Sequence, residues 1–512
     1  MGGNKEARVK GTAKESKAKD GRCGFFMEKK RRYCSFRPRP GSKFCGNHDP
    51  DSGERIPCPL DPTHTIFEAD LQKHRLICPS RKMQLDLEAQ PHWQKGVNCG
   101  TDDDREEVEG DLNGKDGTED TSLVFASSRH ILQARRSLFQ SMPEEEVRAL
   151  LEKIHLAVTA LCPDEPAVNE ILPAECARVI QEGEARAREG KGNSSIPFSM
   201  KHSLQQAAIA GQMENVGLLP PNPERWYVEM GAGRGYLSSM LAEAYGACNT
   251  ALVERRSYRF KAERSIRKTE GAHCERLRID LADLALDKVA CMQGKDLIVT
   301  GKHLCGAATD FALRAARTCR CEGAQRSGCD EAEAAVGEAP GPTLEGVAIA
   351  TCCHHLCNWN AYVNKSFFRD LGFSAVEFRL VAWMTSWANC GDHNQGDAEQ
   401  DPADPASAAD DNPMNQGAGN DEGVAAEEAF GGRILSRKER TTLGHACKRL
   451  IDTGRVQWLK QHGLQAELAC FIGASTSPEN RMLLANLKQM TTSDEQSAYT
   501  CHLCDDSSCR IQ

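Results

Sequence analysis

The sequence lacks any run of apolar residues long enough to cross a bilayer, and it begins with no basic-then-apolar leader. Both absences predict a chain that neither spans a membrane nor takes the secretory route, and that works inside the cell, in nucleus or cytoplasm. Without that route a disulfide framework is not expected, so the 24 cysteines are read as reduced thiols and metal ligands. Aromatic residues make up only 6% of the 512 positions, which predicts that much of the length lies outside a packed core. Residues 391–430 hold eleven acidic side chains and no lysine or arginine. They and residues 321–343, rich in Gly, Ala, Pro and acids, are expected to be disordered insertions on surface loops.

What is present is unevenly distributed. The net charge of −9 averages over segments of opposite sign, since residues 1–48 contain fourteen Lys/Arg against four Asp/Glu. Such a head suits phosphate backbones, with residues 1–20 a solvated tail or a localisation signal. In residues 21–50, Cys23, Cys34, Cys45 and His48 have the spacing C-x10-C-x10-C-x2-H, the donor set of a closed tetrahedral zinc site. In residues 55–80, Cys58, His64, His74 and Cys78 form a second set, C-x5-H-x9-H-x3-C, and the last two would share one helical face. Segments so short and so poor in apolar residues need such staples to fold. Arg22, Lys29, Lys30, Arg31, Arg32 and Tyr33, near Phe25 and Phe26, interleave basic and aromatic groups as RNA-binding surfaces do; the alternative is ordinary charge around a protein-binding finger.

Residues 81–120 read as an acidic linker and residues 121–195 as a helical connector. There S-M-P-E at Ser141 suggests a capping box opening a helix whose stripe is Val147, Leu150, Leu151, Ile154 and Val158. A domain over residues 196–475 follows, then a tail, 476–512, carrying Cys501, Cys504 and Cys509. In the domain, strand-like runs at 226–230, 250–253, 275–279, 296–300, 344–350, 374–380 and 465–472 alternate with helical patterns such as 200–211 and 435–462. Such alternation predicts an α/β fold with a parallel sheet covered on both faces. Its ligands would sit beyond the carboxyl ends of the strands.

The organising stretch is WYVEMGAGRGYL, Trp226 to Leu237. Gly231, Gly233 and Gly235 follow a strand ending at Glu229 and precede a helix, a turn that brings backbone close to a ligand. The dinucleotide fingerprint G-x-G-x-x-G/A is not met, because Tyr236 stands where it requires Gly or Ala. G-x-G-x-G with an acid upstream is similar to the first motif of the class I S-adenosylmethionine-dependent methyltransferases. Glu254 then closes the second strand, placed to accept hydrogen bonds from ribose hydroxyls, and Asp280 closes the third, near an adenine amine. After the next two strands come GKHLCG and TCCHHLC, which would bring Lys302, His303, Cys352, Cys353, His354 and His355 into one cleft. One alternative is a third metal site there, but four consecutive ligands cannot all reach one ion; another is that a cysteine at a strand end is simply a small buried residue.

With these residues in hand, the chain resembles the eukaryotic tRNA 2′-O-methyltransferases that modify the fourth nucleotide of the acceptor stem. The resemblance runs through CGFF, KKRRYC, FCGNH, CPLDPTHTIFE, KHRLICP, VEMGAGRGYLS, LVERR, ERLRID, GKHLCGAATD, IATCCHHLCNW, LGFSAVEF, TSWANCG and GHACKRLID. It implies a Rossmann-like class I methyltransferase with two N-terminal zinc fingers, S-adenosylmethionine as donor, zinc in both fingers and the tRNA acceptor stem as substrate. The general base would be Lys302 or His303, or His354 or His355. Rival readings are a non-catalytic zinc-finger RNA-binding or splicing factor, and a methyltransferase acting on another RNA or on protein; binding of S-adenosylmethionine excludes the first, and labelled-methyl transfer to tRNA the second.

The basic head makes one expectation measurable. Phosphate contacts release counterions, so deleting both fingers should weaken tRNA binding and flatten its salt dependence in a titration. An unchanged affinity and slope would assign the fingers to folding or protein contacts.

Overall fold

The computed structural model describes residues 21–27, 32–49, 53, 55–100, 128–189, 198–222, 225–246, 249–258, 262–268, 270–319, 341–389 and 435–487. The tail 1–20, Lys29, Lys30 and Arg31, the linker beyond residue 100, the insertion 391–430, nearly all of 321–343, and Cys501, Cys504 and Cys509 lie outside the described residues. The chain divides into a unit ending at Gln90 and a larger one from Pro91. Among the described residues no helix is long and apolar enough to cross a membrane.

The first unit has almost no apolar interior. β1 (Phe26–Met27) pairs antiparallel with β2 (Arg32–Tyr33), and β3 (Arg55–Cys58) with β4 (Asp61–Phe67). Helices Leu71–Ile77 and Pro79–Glu88 follow, the second with proline at its first position, where a missing N–H costs nothing. Among its described residues Cys23, Cys34 and Cys45 form a buried cluster backed by Met27 and Phe44, and Cys58, Ile66 and Cys78 are buried as well.

The second unit is built on seven strands: β5 (Arg225–Met230), β6 (Asn249–Val253), β7 (Cys274–Leu277), β8 (Asp296–Cys305), β9 (Thr343–Cys352), β10 (Leu464–Cys470) and β11 (Arg481–Leu487). Their order is β10-β11-β9-β8-β5-β6-β7. β5 to β9 run parallel, while β11 is antiparallel to both β9 and β10. Helices Ala174–Arg188, Met200–Asn215 and Tyr236–Tyr245 pack on one face against Tyr227, Ile298, Ala348 and Ala350. Thr351, next along β9 and therefore on the opposite face, reaches helix Arg437–Gln461 through Asp452. That helix shares a second core with Glu144–Leu161 and Ala375–Met384, centred on Leu150, Ile154, Phe378, Val381 and Leu450.

Several expectations are corrected. The sheet is mixed: residues 476–512 are not wholly a tail, because Met482 to Ala485 form an apolar run buried inside the sheet, and the short return from β10 can only produce an antiparallel neighbour. The expected strand at 374–380 is helix Ala375–Met384, opened by a capping box in which Glu377 N donates to Ser374 Oγ (3.2 Å) and Ser374 N to Glu377 Oε2 (2.8 Å). The box expected at Ser141 does not form. Ser141 ends helix Ser128–Ser141, its hydroxyl donates to Leu138 O at 2.8 Å, and Pro143 caps the next helix without a side-chain bond. Residues 121–195 are not a mere connector, since the stripe Val147, Leu150, Ile154 and Val158 belongs to the second core. The linker 81–120 begins in a helix, and within the second unit Gln94 N and Asn98 N bond to Asp283 O and Ala282 O, so residues 91–100 are pinned.

A lost N-cap costs about 1 kcal/mol. Ser374→Ala should therefore lower stability in a denaturant melt by about that much, while Ser141→Ala should leave it within error; equal losses would contradict the assignment.

Candidate active site and metal clusters

One side of the candidate site is the turn between β5 and helix Tyr236–Tyr245. Gly231, Gly233 and Gly235 have φ of 61°, 53° and 80°, a region where side chains are strained. A Cβ on Gly231 would stand 2.7 Å from Leu304 Cδ2, whereas one on Gly233 would meet nothing within 4 Å. Leu304 thus crowds Gly231 while Gly233 faces open space, and at both the positive φ favours glycine. Glu254 at the end of β6 accepts from Gly233 N (2.9 Å) and Arg256 N (2.8 Å). Arg276 donates to Gly233 O (3.0 Å) and to Glu263. Asp280 accepts from Ala282 N (3.1 Å) and pairs with Arg255 (3.2 Å). Glu229 lies beneath the turn, 4% exposed, with its Oε2 accepting from Ser238 N (3.0 Å) and Oγ (2.5 Å). Burial raises its carboxyl to about 7 despite those bonds.

Opposite lies the end of β8. GKHLCG is not the loop expected after a strand: β8 continues to Cys305 and β9 through Cys352, with a bulge between Lys302 and Leu304. The bulged residue is His303 (φ 66°), and Cys353, just past β9, has φ 49°. A left-handed conformation at a non-glycine residue costs on the order of 1–2 kcal/mol, and such strain concentrates at functional sites. Lys302 is half-buried; burial lowers its ammonium to about 8, although Glu229 acts to raise it. The same crowding, with Lys302 alongside, lowers His303, and burial lowers His355. Cys305, Cys352 and Cys353 meet beside them, and the first is pulled down by S–H donation from the other two.

His354 does not join that surface. It is buried, and since an ionised carboxylate only accepts, its Nε2 donates to Asp452 Oδ2 at 2.8 Å, leaving Nδ1 without a partner. Thr351 Oγ1 donates to the same oxygen (2.9 Å), and Arg455 bridges Asp452 Oδ1 (3.0 Å) to Asp310 Oδ2 (2.6 Å). Burial opposes ionisation of Asp452, yet His354 and Arg455 hold it well below the usual carboxylate range. Arg135 donates to His355 O (2.6 Å) and Cys357 O (2.7 Å), fixing the loop from the other side. Asp310, Asp452, Arg455 and Arg135 are not singled out by the sequence; GKHLCGAATD ends on Asp310 and GHACKRLID on Asp452, a partial signal, while Arg455 and Arg135 have none.

In the first unit the expected ligands converge. Cys23 and Cys45 Sγ lie 3.5 and 3.4 Å from His48 Nδ1, and Cys34 Sγ is 3.9 Å from Cys45 Sγ. In the second set, Cys58 Sγ is 3.2 Å from His74 Nε2 and 3.9 Å from Cys78 Sγ, and His64 Nε2 is 3.1 Å from His74 Nε2. A zinc tetrahedron with bonds of about 2.3 Å to sulfur and 2.0–2.1 Å to nitrogen puts its donors roughly 3.3–3.8 Å apart, so both sets fit. Phe25 stacks on the His48 ring at 4.0 Å.

The family described as Methyltransferase TRM13 matches residues 204–486, more than half of the chain. The chain belongs to the TRM13 methyltransferase family. Residues 21–49 match the CCCH zinc finger in TRM13 protein, and 55–79 the U11-48K-like CHHC zinc finger. The human tRNA:m(4)X modification enzyme TRM13 homolog is 34% identical over 94% of this chain and 97% of its own length. The rice TRM13 enzyme is 36% identical over 47% of this chain and 91% of its own, and that of Saccharomyces cerevisiae 24% identical over 91% and 96%. No solved structure matches the chain.

Breaking a buried ion pair by removing one partner costs about 3–5 kcal/mol. Asp452→Ala in this TRM13-family chain should lose that much in a urea melt at neutral pH. The Asp452 contribution is present above its unfolded value and vanishes only as pH falls through its depressed folded value, so wild type and variant should converge in strong acid. A loss below 1 kcal/mol at neutral pH would contradict the role given to the network.

Proposed function

We propose that this chain is a class I, Rossmann-like methyltransferase that transfers a methyl group from S-adenosylmethionine to the ribose 2′-hydroxyl of the fourth nucleotide of the tRNA acceptor stem. The observation that carries the reading is the contact between the two halves of the cleft. The glycine turn follows β5, the strand from which β6 and β7 extend one way and β8 and β9 the other, and ligands of α/β sheets bind at such switch points. Leu304 packs against Gly231, so Lys302, two residues away, belongs to the wall facing the donor turn. The relatives, tRNA:m(4)X modification enzymes by name, support tRNA as acceptor.

S-adenosylmethionine supplies, when bound, a methyl already activated on a sulfonium. Gly233 leaves room for it, Glu254 keeps lone pairs free for ribose hydroxyls, Asp280 would take the adenine amine, and Glu229 holds the turn from beneath. The remaining work is to align the 2′-oxygen, exclude water and accept its proton. Lys302 performs the last step as the neutral amine, which its burial makes accessible near pH 8. His303 and His355 line the acceptor side, and His354 positions the TCCHH loop through Asp452. Two zinc ions, one on Cys23, Cys34, Cys45 and His48 and one on Cys58, His64, His74 and Cys78, supply the interior the first unit lacks. On the first finger Phe36, 61% exposed, stands with Arg22 and Arg37 around a shallow depression, a surface for stacking a base and holding phosphate.

Methyl transfer to tRNA should rise with pH and level off above about 8 as Lys302 loses its proton. Lys302→Arg should lower the rate by about 10²–10⁴-fold and remove that rise. Glu229→Gln takes away a charge that favours the ammonium, so its pH limb should move lower. Retention of rate and limb in Lys302→Arg would remove Lys302 as base, and absence of transfer to tRNA by the wild type would refute the function.

A further inference from the structure

Besides the two finger sets, one more group of convergent ligands is found among the described residues: Cys305, Cys352 and Cys353, whose sulfurs all lie within 4.8 Å of one another. Two observations mark it as built. The Cys305–Cys352 Sγ separation is 3.7 Å, matching the 3.9 Å of Cys34–Cys45 and Cys58–Cys78 in the fingers. The backbone is also bent to make the group. Successive strand residues point to opposite faces, so Cys352 and Cys353 would diverge if β9 simply continued; the left-handed Cys353 (φ 49°) turns its sulfur back. On the neighbouring strand the bulge at His303 (φ 66°) shifts the register so that Cys305 pairs with Cys352. Two strained non-glycine residues, one on β8 and one just past the end of β9, thus converge on one trio of thiols.

We infer that Cys305, Cys352 and Cys353 bind a third zinc ion. Three thiolates satisfy a soft-tolerant d10 cation, whereas three unliganded thiols, each a weak hydrogen-bonding group, give little return for the strained backbone. Among the described residues no histidine or carboxylate completes the group, so the fourth position is left to water or another small ligand, unlike the closed shells of the fingers. Cys305 is exposed and Cys353 half-buried, so that position opens towards solvent. The ion would tie β8 to β9 where both leave regular geometry, beside Lys302. TCCHH alone could not supply the ligands; the third comes from GKHLCG across the sheet.

The full-length chain, purified under reducing conditions and desalted, should contain three zinc ions per chain by plasma mass spectrometry, falling to two in Cys305→Ala and in Cys353→Ala with circular dichroism unchanged. A variant-free measurement guards against misfolding: the exposed Cys305 of the wild type should resist iodoacetamide until a strong chelator is added, then alkylate. Two zinc ions in the wild type, a third present only with excess zinc, a Cys305–Cys352 disulfide, or immediate alkylation without chelator would each overturn the inference. A count that falls in Cys34→Ala but not in Cys305→Ala would also do so, while supporting the assignment of zinc to the first finger.

Discussion

The ends of β8 and β9, where the candidate base Lys302 and the TCCHH loop lie, depend on an ion network shielded from water. Asp310, Asp452 and Arg455 are all essentially inaccessible, and unpaired charges at such depth would cost several kcal/mol each. Because each is paired, the network can anchor what lies above it. Asp452 holds Thr351 and His354 on one chain segment, while Arg455 reaches Asp310 at the start of the helix after GKHLCG. Both segments carrying the strained residues His303 and Cys353 therefore meet one helix, Arg437–Gln461. Close packing at Gly454, where a Cβ would stand 2.1 Å from the Tyr362 hydroxyl, keeps that helix against the loop.

The two units reach stability by different means. The sheet buries apolar residues on both faces, and its motifs sit where strands end. The fingers bury chiefly their own cysteines, so the zinc ions proposed for them would supply most of their folding free energy. A chain can hence lose its fingers to a chelator while its methyltransferase sheet persists.

Much of this was legible in the sequence. Both ligand sets, the glycine turn and the six strands around it follow from spacing and periodicity, because tetrahedral geometry and a pleated sheet leave strict local marks. Capping boxes show the limit. S-x-x-E occurs at Ser141 and at Ser374, yet only Ser374 caps: Pro143 and the preceding helix claim the first site, a contest between neighbours that the motif does not record. β11 leaves no mark in the sequence, because a buried central strand has no alternation to betray it. His354 was placed in the cleft with its neighbours, since its removal to the interior depends on Asp452, 98 residues away. Likewise Cys305 gained meaning only through register with Cys352.

The central claim is that the methyl group lands on a ribose oxygen of the fourth nucleotide. Labelled tRNA from the reaction can be digested completely with alkali, which cleaves beside every free 2′-hydroxyl and spares a methylated one. The account predicts label in a single alkali-resistant dinucleotide whose 5′ residue is the fourth nucleotide. Label released in mononucleotides, or in a resistant dinucleotide from elsewhere in the tRNA, would contradict it.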